Sequence, residues 1–186
     1  FYSFSSLDHF RRASGELRAH IGWGPALVTT GIEIERESQR SFTESGSQFG
    51  PSNGRTSFER DNRAGFVHAN TDVHALSLSA GARVADNQRF GTQATWQAGL
   101  SWLVSTRAQT RLRASAGRAI KEPTFVEAFA TGFARGNPDL APEHSLSWEV
   151  GFEQVLADGR LTLRGTLFDQ RFEDLIQYTA APPAST

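Results

Sequence analysis

Residues 114–153 read ASAGRAIKEPTFVEAFATGFARGNPDLAPEHSLSWEVGFE, and this stretch decides how the chain folds. Apolar and polar residues alternate before its middle, in residues 110–118, and again after it, in residues 146–153. This alternation predicts two β-strands that each have one apolar face. Between them, Pro123, Pro138 and Pro142 prevent a helix or a strand from running through the whole segment. The stretch therefore predicts a strand, a long loop and a returning strand.

The same alternation recurs along most of the chain and predicts about eight strands. Connections near residues 23–25, 72–74, 105–108 and 157–159 are short, whereas those at 38–57, 86–92, 119–143 and from 173 onward are longer. Alternating short turns and longer loops are typical of outer-membrane barrels. Residues 38–57 are rich in serine and glycine, so we expect a long mobile loop that is the least ordered internal segment.

These patterns predict an all-β fold, an antiparallel up-and-down meander that forms part of a transmembrane β-barrel. By itself the meander should be an open curved sheet in which each strand pairs with its sequence neighbours. We expect residues 1–179 to form this partial barrel domain and the alanine- and proline-rich residues 180–186 to be a disordered tail.

Composition excludes several classes of function. The chain has 186 residues and a formal net charge of -1, which offers no broad basic surface for nucleic acid. Cysteine is absent, so disulfides and thiolate metal sites are excluded. No serine lies in a G-x-S-x-G motif, and no metal-ligand spacing occurs among the histidines, which are His9, His20, His68, His74 and His144. We therefore expect no catalytic residues, no metal site and no cofactor, and hence no enzyme.

Three segments carry a resemblance to a known family: RAIKEPTFVEAF (118–129), GNPDLAPEHSLSWEVGFE (136–153) and FDQRFEDLIQY (168–178). They resemble consecutive blocks of TonB-dependent outer-membrane receptors, in particular the cobalamin and siderophore receptors. The matching positions are Lys121, Pro123, Thr124, Phe125 and Glu127, followed by Gly136, Asn137, Pro138, Leu140, Pro142, Glu143, Ser147, Trp148, Glu149 and Gly151. The departures from the family pattern are Ala119, Ile120, Glu122, Ala141 and His144.

The resemblance implies a fragment from the C-terminal part of a receptor barrel in the bacterial outer membrane, surrounded by outer-membrane lipid. The full protein would take up a metal chelate, a siderophore or cobalamin, with energy from TonB. TonB would act through a plug domain that this sequence does not contain. Three alternatives stay open: a small complete outer-membrane barrel with a structural or adhesion role, an outer-membrane hydrolase, and a soluble β-rich binding module.

The loop at residues 121–143 is the segment where we expect recognition, because binding residues concentrate on long loops of a rigid scaffold. Its candidate ligand-binding residues are Lys121, Glu127, Phe129, Phe133, Arg135, Asn137 and Asp139. The motif residues could instead serve only to fold the loop into the barrel mouth. The variable middle, residues 128–135, is the better candidate for ligand contact.

The Asp158-Gly159 pair predicts a two-residue type I′ turn that pairs Ala157 with Arg160. Continuing this register puts Phe152 opposite Gly165 and Glu153 opposite Arg164. On the preceding strand, Arg111 and Arg113 have the parity of the same polar face. We therefore predict a charge ladder in the barrel lumen, which fixes the register and consists of Arg111, Arg113, Glu153 and Arg164.

Overall fold

The computed structural model describes residues 2–48, 50–105, 109–130 and 135–178. Within them, eight strands form one antiparallel sheet in the order β1-β2-β3-β4-β5-β6-β7-β8. The strands are β1 Ser3–Trp23, β2 Ala26–Ser47, β3 Gly50–Val73, β4 Leu76–Asn87, β5 Gly91–Ser105, β6 Thr110–Lys121, β7 Glu143–Leu156 and β8 Leu161–Glu173. A short helix, α1 (Phe125–Phe129), lies between β6 and β7. The predicted open meander is confirmed, since no described residue of β1 pairs with β8.

The two faces of the sheet differ in chemistry because side chains alternate along each strand. One cross-strand row joins Leu78, Leu100, Ala114, Val150 and Leu167 on what we call the apolar face. The neighbouring row on the opposite, polar face contains serine, arginine and threonine. The apolar face is open: Leu167 is 67% exposed and Val150 is 50% exposed. A continuous exposed apolar surface of this kind marks a site of contact with lipid or with another apolar surface.

The prediction of a mobile loop at residues 38–57 is wrong. These residues are the paired ends of β2 and β3, and the ladder continues from Ser38 opposite Glu59 to Ser47 opposite Gly50. We call residues 38–57 the tip hairpin. Polar residues predominate on both of its faces, with Phe42 as an exception, so the alternation that signals a strand is lost, but main-chain pairing does not require that alternation. The predicted alternation of short and long connections therefore fails between β2 and β3. It also fails between β4 and β5, where the predicted longer loop at residues 86–92 is wrong because only residues 88–90 join the two strands.

The β7–β8 hairpin has the predicted register, with Phe152 opposite Gly165 and Glu153 opposite Arg164. Asp158 and Gly159 have φ values of 53° and 91°, and Arg160 N donates to the carbonyl oxygen of Ala157 at 3.1 Å. Ala157 also has a positive φ of 51°, so the strand ladder ends at Leu156 and Leu161 rather than at the predicted Ala157–Arg160 pair.

None of the described helices is long and apolar enough to cross a membrane. The predicted tail at residues 180–186 lies outside the described residues. The end of the sheet that carries the β6–β7 connection is called the upper end below.

Candidate ligand site at the mouth of the sheet

The connection between β6 and β7, residues 122–142, folds back onto the polar face and is called the mouth loop. Helix α1 begins after Thr124, where a capping box forms. Glu127 N donates to Thr124 Oγ1 at 3.2 Å, and Thr124 N donates to Glu127 Oε2 at 2.7 Å. This exchange satisfies main-chain donors that the first helical turn leaves without partners. The motif Pro-Thr-x-x-Glu thus starts a helix at a fixed point of the loop.

The second half of the mouth loop returns close to the first. Gly136 N donates to the carbonyl oxygen of Ala130 at 2.8 Å, and Asn137 N donates to that of Glu127 at 2.9 Å. A Cβ atom at Gly136 would lie 2.4 Å from Phe129 N. Glycine is therefore required here because two main-chain segments touch.

Aromatic side chains attach the mouth loop to the sheet. Phe58 of β3 stacks on Phe129 with ring centroids 3.8 Å apart and on Phe125 with centroids 6.2 Å apart. The Arg89 guanidinium lies 4.4 Å from the Phe129 ring centroid and also donates to the carbonyl oxygen of Pro138. Stacked rings and cations over rings each stabilise such contacts by roughly 0.5–1.5 kcal/mol. Helix α1 is therefore fixed on the polar face of β3.

Arg60 of β3 joins the sheet to the mouth loop through several contacts at once. Its guanidinium pairs with Glu37, lies 3.5 Å from Glu122 Oε2, and donates to the carbonyl oxygen of Pro123 at 3.1 Å. It also lies 5.1 Å from the Phe125 ring centroid. The side chains of Arg60 and Glu37 are only 12% and 9% exposed. A planar guanidinium with five donors can make all these contacts simultaneously.

Below this arginine, the polar face continues as paired charges. Arg12 Nε donates to Glu35 Oε2 at 2.6 Å, and Arg83 Nη1 donates to Glu33 Oε2 at 2.6 Å. Arg12, Glu35 and Arg83 line a depression of about 910 Å³ that also includes Arg60. Among the residues described, no group of three or more histidine, aspartate or glutamate side chains could hold a metal ion. The depression is therefore a charged surface without a metal site among the described residues.

Most predicted ligand residues hold the mouth loop in place. Lys121 Nζ lies 3.5 Å from Glu127 Oε1 and 3.3 Å from Glu143 Oε2, and Asn137 Oδ1 accepts a hydrogen bond from Asp139 N at 2.9 Å. The main-chain N–H of Thr124, above all, holds the pKa of the Glu127 carboxyl below its ordinary value.

The other predicted ligand residues make fewer contacts. Arg135 and the side chain of Asp139 are exposed at the surface of the mouth loop. Phe133 lies outside the described residues. Ligand contact by this whole set stays a prediction.

The residues of the predicted charge ladder lie together on the polar face. Arg164 Nε is 2.7 Å and Arg113 Nη2 is 3.7 Å from Glu153 Oε2. Arg111 is directly opposite Glu153 and donates to Ser101 Oγ at 3.1 Å. The ladder therefore connects three neighbouring strands. Its placement in a barrel lumen remains a prediction.

Sequence reasoning missed the side chains that receive the mouth loop, which are Glu37, Phe58 and Arg60 of the sheet and Arg89 of the turn between β4 and β5. The faces of residues 58–71 could not be assigned because Phe66 and Val67 are apolar and adjacent. The register across β2 and β3 would have assigned them, since Glu37 is directly opposite Arg60. The prediction of a loop at residues 38–57 hides this register, because it leaves β2 and β3 without a defined turn.

Comparison with known proteins gives consistent results. A family model described as TonB dependent receptor-like, beta-barrel matches residues 2–186. The vitamin B12 transporter BtuB of Vibrio vulnificus is 28% identical over 160 residues, covering 86% of this chain and 24% of that protein. The chain thus spans about a quarter of the length of the curated relative that it matches.

Two solved structures have a similar fold. The copper transporter OprC superposes with a TM-score of 0.69 at 15% identity, covering 92% of this chain and 31% of that one. The siderophore receptor PirA of Acinetobacter baumannii superposes with a TM-score of 0.68 at 18% identity, covering 91% of this chain and 28% of that one. At these identities the likeness shows the fold alone.

Proposed function

We propose that this chain, which belongs to the TonB-dependent receptor β-barrel family, forms part of the wall of an outer-membrane transport receptor. The complete receptor takes up a metal chelate, a siderophore or cobalamin, with energy delivered by TonB. The names of the relatives support this class of substrate, since they describe a vitamin B12 transporter and a siderophore receptor. The same names describe transport proteins rather than enzymes.

The observation that carries the proposal is the contrast between the two faces of the sheet. The apolar face leaves large side chains such as Leu17 (71% exposed) and Leu167 (67% exposed) without cover. The polar face instead carries paired charges, including Arg83 with Glu33 and Arg164 with Glu153. A wall between lipid and a hydrated lumen requires this arrangement, whereas a soluble binding module would leave the apolar face in water.

The open sheet argues against the small complete barrel. A barrel of eight strands would need β1 paired with β8, and the described residues of these strands make no such pair. Unpaired strand edges are not tolerated in a hydrocarbon layer. In the proposed receptor, further strands continue the sheet on both sides.

The mouth loop supports a role at the ligand entrance. Its first half is fixed to β3, and Arg89 donates to the carbonyl oxygen of Pro138 in its second half, so the exposed residues Arg135 and Asp139 lie on an anchored loop rather than on a free one. Fixed polar groups on a rigid scaffold are what specific binding requires. We propose that these two residues contact the chelate, with Lys121 at the edge of the same surface.

Uptake by the complete receptor tests the proposal. The receptor is expressed in a strain without its own cobalamin and siderophore receptors, and accumulation of radiolabelled cobalamin or ferric siderophore is measured with and without TonB. We expect TonB-dependent accumulation of one chelate class. The double variant R135Q/D139N should bind that chelate more weakly, while the control R160Q, in the turn at the other end of the sheet, should match the wild type. Accumulation that does not require TonB would contradict the proposal.

A further inference from the structure

Hydroxyl and amide side chains cover the polar face of the tip hairpin and of the part of β1 that pairs with it. Ser6 is opposite Thr43, and Ser41 is opposite Thr56. Each has the same parity on its strand as the charged residues of the polar face, so all of them belong to that face. We call this surface the hydrogen-bonding wall; it consists of Ser6, Gln39, Ser41, Thr43 and Thr56.

The hydrogen-bonding wall continues upward from the point where the mouth loop is attached. Phe58, which stacks on Phe129 of that loop, precedes Arg60 and follows Thr56 on the same face of β3. Gln39 is opposite Phe58 on one side and opposite Phe10 on the other. The Phe10 ring is 59% exposed. A ligand held above the mouth loop would therefore meet an aromatic ring at its base and polar groups beside it.

The polar groups of the wall suit an uncharged partner. A serine or threonine hydroxyl can donate one hydrogen bond and accept others, so it matches amide and hydroxyl groups equally well. The carboxylate beside the wall, Asp8, is held within the chain: Ser6 Oγ donates to its Oδ2 at 2.8 Å, and Gln39 Nε2 donates to its Oδ1 at 3.2 Å. Thr43 Oγ1 is 3.4 Å from the carbonyl oxygen of Gly54, which is close to the limit for a hydrogen bond.

The charges below the wall do not favour a negatively charged ligand. The arginines of the polar face that line the depression are each paired with a carboxylate, as Arg12 with Glu35, Arg60 with Glu37 and Arg83 with Glu33. Glu122 adds a further carboxylate 3.5 Å from Arg60. In this group the carboxylates outnumber the guanidinium groups, so an approaching polyanion would be repelled.

The mouth loop and the strand ends that carry it have the same excess of acid. Within residues 121–143 the basic side chains are Lys121 and Arg135, and the acidic side chains are Glu122, Glu127, Asp139 and Glu143. Lys121 is already held by two of these carboxylates, at 3.5 and 3.3 Å. The surface around the ligand entrance thus offers many hydrogen bonds and no excess of positive charge.

We propose that the hydrogen-bonding wall binds amide or hydroxyl groups of an uncharged metal chelate, and that the receptor selects such a chelate over a negatively charged one. This inference rests on the proposed function and names the class of substrate within it. An anionic chelate would need unpaired cations at the entrance and would leave the hydroxyl groups of the wall without partners. Sites built from hydrogen-bonding groups reject ligands that leave those groups unpaired.

The test measures the equilibrium binding of three chelates to the complete receptor in detergent, by dialysis. Two probes are uncharged, cyanocobalamin and a ferric trihydroxamate, and the third is a ferric tricatecholate, which is a trianion. The variant S41A/T43V/T56V removes hydroxyl groups from the wall and keeps the shape of the side chains. The control S5A/S38A/S57A removes as many hydroxyl groups from the opposite face, where Ser38 is opposite Arg11 and Ser57 is opposite Arg40.

We expect the wild type to bind an uncharged chelate more tightly than the tricatecholate, by about tenfold or more. The variant S41A/T43V/T56V should bind that uncharged chelate about fivefold more weakly or worse, because hydrogen bonds to the ligand are lost. The control should match the wild type. Affinity should also be the same at low and high salt, since no charge attraction contributes.

Four results would overturn the inference. They are tighter binding of the tricatecholate, binding of neither uncharged probe, equal affinity in the wild type and S41A/T43V/T56V, and an equal loss in the control. A steep fall of affinity with added salt would overturn it as well, because the bound chelate would then be held by its charge.

Uptake in cells separates this inference from the proposed function. A receptor that accumulates the tricatecholate with TonB, and neither uncharged chelate, contradicts the uncharged substrate alone. A receptor that accumulates none of the three chelates in a TonB-dependent manner contradicts the proposed function together with the inference.

Discussion

The two longest excursions at the upper end of the sheet, the tip hairpin and the mouth loop, are held by different physical means. The tip hairpin is polar on both faces, and its strands pair through the main chain as far as Ser47 and Gly50. The mouth loop contains Pro123, Pro138 and Pro142, which cannot supply main-chain donors to a ladder. It is fixed instead by side chains of the sheet, chiefly Phe58 and Arg60.

This difference predicts that side-chain substitutions at the attachment points will release the mouth loop and leave the tip hairpin unchanged. Hydrogen exchange can report the two segments separately in one experiment. The predictions below are ordered by expected effect.

Replacing Arg60 with alanine should have the largest effect. It leaves Glu37, which is 7% exposed, with only the more distant Arg12 guanidinium at 3.9 Å, and it removes the contact with the carbonyl of Pro123. Removing one partner of a buried pair costs roughly 3–5 kcal/mol. We expect fast hydrogen exchange throughout the described parts of the mouth loop. The control R55A, at an exposed position of the tip hairpin, should exchange like the wild type. If R60A and R55A accelerated exchange of the mouth loop equally, Arg60 would not be a specific attachment point of that loop.

Gly136→Ala should have the next largest effect, because the added Cβ would lie 2.4 Å from Phe129 N and 2.5 Å from the Ala128 carbonyl carbon. Overpacking of this kind costs roughly 1–3 kcal/mol. At Gly22 an added Cβ meets no atom within 4 Å, so G22A is the matched control and should be neutral. Thermal unfolding measures both variants. A G136A receptor as stable as the wild type would show that the two halves of the mouth loop are not in contact.

The Phe58–Phe129 stack should contribute a smaller coupling free energy, about 1 kcal/mol. The single variants F58L and F129L and the double variant form a double-mutant cycle, measured as the free energy of opening of the mouth loop by hydrogen exchange. Additive effects would show that the two rings act independently, against the stacked geometry.

The smallest effect is a dependence on pH. The folded pKa of Glu127 lies below its ordinary value of 4.5. A lowered carboxyl pKa stabilises the folded loop above that ordinary value, and the stabilisation is lost as pH falls through the folded pKa. The protection factors of the α1 amides, which are corrected for the pH dependence of intrinsic exchange, should therefore fall in acid in the wild type but not in E127Q. If the protection factors of E127Q fell in acid as those of the wild type do, the pH dependence would come from a group other than Glu127.

Much of the sheet follows from local sequence. Alternation assigns the faces of β4, β5 and β7, and Asp158-Gly159 fixes the register that brings Glu153 to Arg164. The tip hairpin could not be predicted, because polar residues on both faces leave no alternation to detect. The partners of the mouth loop could not be predicted either. Phe58 and Arg89 are remote from residues 122–142 in sequence, and only the assembled sheet brings them together.

The central claim is that one face of this sheet contacts lipid and the other contacts water. This chain has no cysteine, so single cysteines introduced at residues 97–102 of β5 can carry spin labels in the complete receptor once any cysteine outside this chain has been replaced. Power-saturation measurements then report the accessibility of each label to oxygen, which concentrates in lipid, and to a water-soluble nickel chelate. The account predicts oxygen accessibility at Ala98, Leu100 and Trp102 and nickel accessibility at Gln97, Gly99 and Ser101. Uniform accessibility along these six positions, or the opposite alternation, would contradict it.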